Sequence, residues 1–305
     1  MLRLSRWGRS PYETKGDIAL EVEDLSRWVK VVPERDNAEI AVIHSKIRFG
    51  PSEHKLSPDL QLLVTTTSGT DHIDLEYFRQ HGIAVARLPV ARRDAVVDTA
   101  VGMLIWGLRR MGAMDDAARR GRWARAELPG LAPVGLRGSR IGVVGLGVIG
   151  RQMCRVLAPF GVELWGSDPA GLPDGIQAAT LPEMMGHCDA VTLHCSLGPS
   201  SANLLSAGVL GGAHPDLFVV NTARGGLLDL EAALQMLGRQ QLGGLAIDVF
   251  PSEPWPQMAS VQDFSNLMLH PHAAGYHRGL ALAIRQGLCD AVQAFALGNP
   301  LPHRL

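Results

Sequence analysis

A doubly wound parallel α/β sheet beside a second, smaller α/β unit is the fold this sequence predicts, and three observations predict it. From residue 140 onward, short apolar runs alternate with helical stretches at strand–helix–strand spacing. The first of those runs leads straight into Gly145-Leu146-Gly147-Val148-Ile149-Gly150. A weaker version of the same alternation precedes residue 140.

Taken in order, 39–44, 61–66 and 83–86 read as strands with short helices between them. A long amphipathic stretch then runs from Asp98 to about Arg120, with Asp98 or Thr99 placed to cap it. Val101, Leu104, Ile105 and Leu108 share its apolar face. The Pro- and Gly-rich segment 128–138 reads as a linker. Strands follow at 140–144, 162–167, 189–195, 217–222, 244–249 and 267–270, with a shorter one at 176–180. A last helix over about 278–297 is placed to return to the N-terminal unit.

The glycine run is informative because of what surrounds it. Strand 140–144 precedes it, a helix over 148–160 follows, and a second strand ends on Asp168, eighteen positions after Gly150. In that order the first glycine permits a tight turn, the second lets backbone approach a pyrophosphate, and the third lets helix pack on strand. The helix N-terminus offers free N–H groups and the positive end of its dipole. The sequence therefore predicts a Rossmann-type dinucleotide site contacted by Gly145, Gly147, Val148, Ile149, Gly150 and Asp168. Asp168 would accept from ribose hydroxyls and repel a 2′-phosphate, which favours NAD over NADP.

Composition removes other classes. The 305 residues suit two domains, and a net charge of −1 predicts neither a nucleic-acid partner nor attraction to an anionic membrane. No apolar run is long enough to span a bilayer, and the charged N-terminus lacks the apolar stretch of a signal peptide. Cys154, Cys188, Cys195 and Cys289 show no metal-ligand spacing, so no metal is expected and reduced cytoplasmic thiols are. Only four of the 29 basic residues are lysine, the last at Lys55, so the dinucleotide half holds no lysine for Schiff-base or general-base work.

Ligands of open parallel sheets sit beyond the carboxyl ends of the strands. Arg224 follows one strand, Glu253 the next and His272 the one after, so the three are expected to converge on one crevice. An arginine, a histidine and a carboxylate at one crevice suit the binding of an anion beside a proton transfer. A planar, permanently charged guanidinium can grip carboxylate and carbonyl oxygens together, and an imidazole can give a proton to a ketone oxygen. A carboxylate can orient that imidazole.

With Ser68-Gly69-Thr70-Asp71-His72-Ile73-Asp74 and Gly121-Arg122-Trp123, these motifs resemble the D-isomer-specific 2-hydroxyacid dehydrogenases, over about 62–297. The resemblance implies NAD as cofactor, a small 2-oxo or 2-hydroxy acid as substrate, and catalysis by Arg224, Glu253 and His272. It implies that backbone N–H groups at Ser68, Gly69 and Thr70 hold the substrate carboxylate, with Arg224. His194, Cys195, Thr222 and Ala223 are expected to line the cofactor cleft, and Asp248 to face the nicotinamide carboxamide. The implied organisation is a discontinuous, flavodoxin-like substrate domain, 1–97 plus 276–305, holding the NAD domain, 98–275, with a cleft between them. A homodimer through the helical region after Asp98 is also implied.

Rival classes leave marks that can be checked. A short-chain dehydrogenase needs lysine four positions after tyrosine, but Tyr12, Tyr77 and Tyr276 are followed there by Gly16, His81 and Leu280. NAD-dependent formate dehydrogenases carry glutamine where this chain has Glu253. The C-terminal-binding corepressors share the fold and similar residues, so an NAD(H)-sensing interaction protein is the alternative reading. The sequence departs from the family at Arg87-Leu88-Pro89-Val90, at Asp98, in the loop His194-Cys195-Ser196-Leu197-Gly198, which lacks the common proline, and at Tyr276-His277-Arg278. Arg278 or the pair Arg92-Arg93 is thus a candidate contact for a second anionic group on the substrate.

Overall fold

A computed structural model describes residues 1–10 and 12–305. The chain divides into two compact units, Met1–Arg93 with Tyr276–Leu305, and Asp94–Gly275.

Unit 1 is a five-stranded parallel sheet of β1 (Leu2–Trp7), β2 (Val29–Val32), β3 (Ile40–Ile43), β4 (Leu62–Thr65) and β5 (Ala84–Arg87). Their order, β2-β1-β3-β4-β5, is the flavodoxin-like one. Both faces are buried. Ile40, Val42, Leu62 and Val64 point to one core, and their neighbours Ala41, Ile43 and Leu63 to the other. The helix Leu280–Ala296 covers the first face through Leu280, Ile284, Leu288 and Val292, spaced so that one stripe meets the sheet. The C-terminal segment is therefore part of this unit's core. Replacing the fully buried Leu288 with alanine should cost about 2–5 kcal/mol in urea unfolding of the whole chain; an unchanged midpoint would show that this helix adds nothing to the core.

Unit 2 carries β6 (Arg140–Val144), β7 (Glu163–Ser167), β8 (Gln177–Ala178), β9 (Ala190–Leu193), β10 (Phe218–Asn221), β11 (Gly244–Ile247) and β12 (Leu267–Leu269). All neighbours are parallel, in the order β12-β11-β10-β9-β6-β7-β8. Counted from its own first strand this is the doubly wound order, with the reversal between β6 and β9. The strand residues again alternate between two cores, Val219 on one face and Phe218 and Val220 on the other.

Three expectations need correction. Two strands, β1 and β2, and the helix Lys15–Leu25 occupy a region for which the sequence suggested no elements before residue 39. The stretch read as one helix from Asp98 begins at Val90, just after Pro89, so Asp98 lies inside it and neither Asp98 nor Thr99 caps it. That helix ends at Leu108, and a second runs Met111–Arg119. The break falls at Arg110, held at φ 51° while its guanidinium donates to Leu131 O at 3.1 Å and Gly243 O at 2.7 Å. Within the 128–138 linker, Leu128–Leu131 forms one helical turn. No helix is long and apolar enough to cross a membrane among the described residues.

Candidate active site

The glycine run connects β6 to the helix Val148–Leu157, beside the point where strand order reverses. Each glycine has its own reason. Gly145 stands at φ 88°, and a Cβ there would lie 2.4 Å from Cys195 N, so the turn abuts the loop after β9. Gly147 starts the helix, and a Cβ there would meet nothing within 4 Å. At Gly150 a Cβ would lie 1.9 Å from Gly145 O, which is what lets the helix press on the turn. The open face at Gly147 and the orphan amides of the helix's first turn suit a dinucleotide pyrophosphate. Asp168 follows β7, and its carboxylate accepts from Leu146 N at 2.5 Å and Ala170 N at 2.7 Å, which fixes it beside the turn.

On the other side of the switch point, His194 N donates to Val144 O at 2.7 Å, tying the β9 loop to β6. Its Nε2 lies 3.0 Å from Thr192 Oγ1, and burial holds the imidazole pKa down to about 4. Beside it the Cys195 thiol is pushed up to about 11, again by burial first, so it is a packing group rather than a nucleophile at neutral pH. Thr222 Oγ1 is buried without a partner in this region, a donor left for a bound group.

Three consecutive strand ends carry Arg224, Glu253 and His272. After β10 the buried Asn221 brackets the turn: its Oδ1 accepts from Ala223 N at 3.1 Å and its Nδ2 donates to Arg224 O at 2.9 Å. Arg224 Nη1 donates to Ala223 O at 2.7 Å. The next residue, Gly225, lies against the segment after β11, since a Cβ would be 2.0 Å from the Phe250 carbonyl carbon. In that segment Phe250 N donates to Glu253 Oε1 at 3.1 Å, and Glu253 Oε2 accepts from His272 Nδ1 at 2.6 Å. Glu253 is followed by a cis peptide to Pro254. One backbone contact and one carboxylate thus link the turns of Arg224, Glu253 and His272.

His272 sits at φ 51°, a left-handed conformation that a residue with a side chain adopts only when its surroundings hold it there. Asp248 does the holding. Its carbonyl accepts from His272 N at 2.7 Å, and its carboxylate, 2% exposed, accepts from Ala273 N at 2.7 Å and Ala274 N at 3.1 Å. The same carboxylate binds His270 Nδ1 at 2.5 Å. The loop His270–Ala274 is wrapped around a buried acid, and His272 binds Glu253 through Nδ1 alone among the described residues.

Within unit 1, Ser68, Gly69 and Thr70 follow β4 at the carboxyl edge of that sheet, the edge where α/β sheets bind ligands. Among the described residues no group of three His, Cys, Asp or Glu side chains could hold a metal ion.

Residues 101–274 match the D-isomer specific 2-hydroxyacid dehydrogenases at their NAD binding domain. The chain belongs to that family. D-3-phosphoglycerate dehydrogenase of Homo sapiens is 30% identical over 258 residues, covering 83% of this chain and 48% of the human protein. The chain thus spans about half the length of that relative. Glycerate dehydrogenase of Methylorubrum extorquens is 29% identical over 283 residues, 90% of this chain and 88% of that one. A D-lactate dehydrogenase from Aquifex aeolicus, solved with NAD and lactic acid, superposes with a TM-score of 0.82 at 21% identity, covering 97% of this chain and 96% of that chain, and shows the shared fold.

In this member of the D-2-hydroxyacid dehydrogenase family, unit 2 is therefore an NAD-binding domain built on the Rossmann sheet. Sequence reasoning missed three residues that position its polar groups: Asn221, Gly225 and His270. Position could have flagged them, since Asn221 ends one strand, Gly225 follows Arg224, and His270 is two residues before His272.

Proposed function

We propose that this chain interconverts a small 2-oxo acid and the D-2-hydroxy acid, with NAD(H) as the redox partner. Bound NADH supplies the hydride. His272 Nε2 supplies the proton to the ketone oxygen and takes it back in the reverse direction, while Glu253 fixes the ring through Nδ1. Arg224 grips the substrate carboxylate and polarises the carbonyl, and the amides of Ser68, Gly69 and Thr70 hold the same carboxylate. Asp168 selects NAD through the ribose hydroxyls.

The observation that carries this reading is the 2.6 Å His272–Glu253 contact on a turn held at φ 51°. A carboxylate on one ring nitrogen leaves the other to act as acid or base. The relatives are named for 3-phosphoglycerate, glycerate and lactate, which makes phosphohydroxypyruvate, hydroxypyruvate and pyruvate the first substrates to try.

The test is loss of NADH absorbance with those three acids, glyoxylate, oxaloacetate and phenylpyruvate, followed by chiral analysis of the product. Saturable turnover giving the D-isomer supports the proposal. NADH binding without turnover of any of them would overturn it. The same reading has the chain act in the cytoplasm as a homodimer through the helical region after Asp98, which sedimentation of the purified protein would test.

A further inference from the structure

The departure from the family at Arg87 and the unassigned Arg92 meet at one place in unit 1. Arg87 ends β5, and its Nη1 donates to Ser68 O at 3.0 Å. Arg92, in the first turn of the helix Val90–Leu108, donates through Nη1 to Thr66 O. Between them, Leu88 N donates to Thr67 O at 3.3 Å, and Thr67 Oγ1 donates to Gly69 O at 3.0 Å. Four successive carbonyls, from Thr66 to Gly69, are therefore taken.

In a planar trans peptide the N–H of the next residue points opposite to the carbonyl. Capturing those four oxygens fixes the amides of Thr67, Ser68, Gly69 and Thr70. None of these amides enters the loop's own hydrogen bonds.

The same spot holds polar groups with nothing to bind. Thr66 Oγ1, Ser68 Oγ and Arg87 Nε are buried without a partner. Burial lowers the pKa of both guanidiniums, and among the described residues no acid offsets this at Arg87. Glu13, the acid that acts on Arg92, is bonded to Arg6 at 2.6 Å. Charge in a low-dielectric setting without a counter-ion is costly, and such groups concentrate where a ligand completes them.

We propose that Arg87 and Arg92 are positioning residues that clamp the 66–70 loop from behind, aim its amides, and supply the positive potential that sets its affinity for the substrate carboxylate. This rests on the reading that the loop receives that carboxylate. Neither arginine needs to touch the substrate, and neither takes part in proton transfer.

The experiment uses the full-length protein as its NADH complex, with Arg87→Met, Arg92→Met and Arg87→Lys. Steady-state turnover is read on the best 2-oxo acid, and binding of oxamate, an unreactive 2-oxo acid mimic, by calorimetry. Each methionine variant should raise KM and the oxamate Kd about tenfold or more, the scale of one charge-assisted hydrogen bond. kcat should change less than about threefold, with melting temperature and NADH affinity close to wild type. Lysine at 87 should recover part of the oxamate affinity by restoring charge and one donor. Unchanged KM and oxamate affinity would overturn the proposal. So would kcat, KM and melting temperature all worsening together without rescue by lysine, which marks a purely structural role. Wild-type turnover with insensitive arginine variants sinks this inference alone; a wild-type NADH complex that neither turns over any 2-oxo acid nor binds oxamate sinks the reading beneath it as well.

Discussion

His272→Ala should lower kcat about 10³-fold, within the 10²–10⁴ range of a positioned acid–base group. NADH affinity and the thermal midpoint should stay near wild type. The separation is expected because His272 is half exposed and its ring binds only Glu253 among the described residues, so its loss opens no core cavity. The loop has other anchors: Asp248 holds the backbone at His272, Ala273 and Ala274 whichever side chain is present at 272. Stopped-flow NADH oxidation with fluorescence titration of NADH reads both quantities. A loss below about tenfold would remove His272 as the proton donor. A loss of NADH binding in parallel would instead make it a structural residue of the loop.

That the turns of Arg224, Glu253 and His272 lie together was legible because parallel strands place their carboxyl ends along one edge, so polar residues just past consecutive strands are neighbours whatever lies between them. Arg224, Glu253 and His272 follow β10, β11 and β12 in that way. Of the residues that hold them, Gly225 and His270 meet partners at the end of β11, a contact between strands that no single run of the sequence displays. Asn221 closes the Arg224 turn from inside the sheet, and His270 reaches Asp248 across the β11–β12 pair.

The N-terminal strand was hidden for another reason. β1 reads Leu-Arg-Leu-Ser-Arg-Trp, and nothing local says that its arginines find acids. Arg6 is buried against Glu13 and Glu21, and Ser5, fully buried, donates to Pro33 O at 3.0 Å. Long-range pairing makes a charged strand admissible in a core, and pairing of that kind is invisible to hydrophobic periodicity. The helix break at Arg110 is similar. No glycine or proline marks it, and the left-handed backbone is held by carbonyls at Leu131 and Gly243.

The glycine run separates fold from ligand binding by one methyl group. At Gly150 an added Cβ meets the Gly145 carbonyl at 1.9 Å, backbone against backbone, so helix and turn must move apart. Gly150→Ala should therefore cost about 1–3 kcal/mol of stability, as overpacking does, and weaken NADH binding as a consequence. At Gly147 the added methyl meets nothing within 4 Å, and φ −74° suits alanine. Gly147→Ala should leave the urea midpoint unchanged. Its methyl would stand where a pyrophosphate approaches the first amides of the helix, so NADH affinity should fall about 10- to 100-fold, the equivalent of one or two hydrogen bonds to a charged group. Fluorescence titration of NADH beside urea unfolding decides it. Equal effects of both variants on stability and binding would mean that the run is only a tight turn. Lost affinity at Gly147 with full stability places the pyrophosphate over this helix N-terminus.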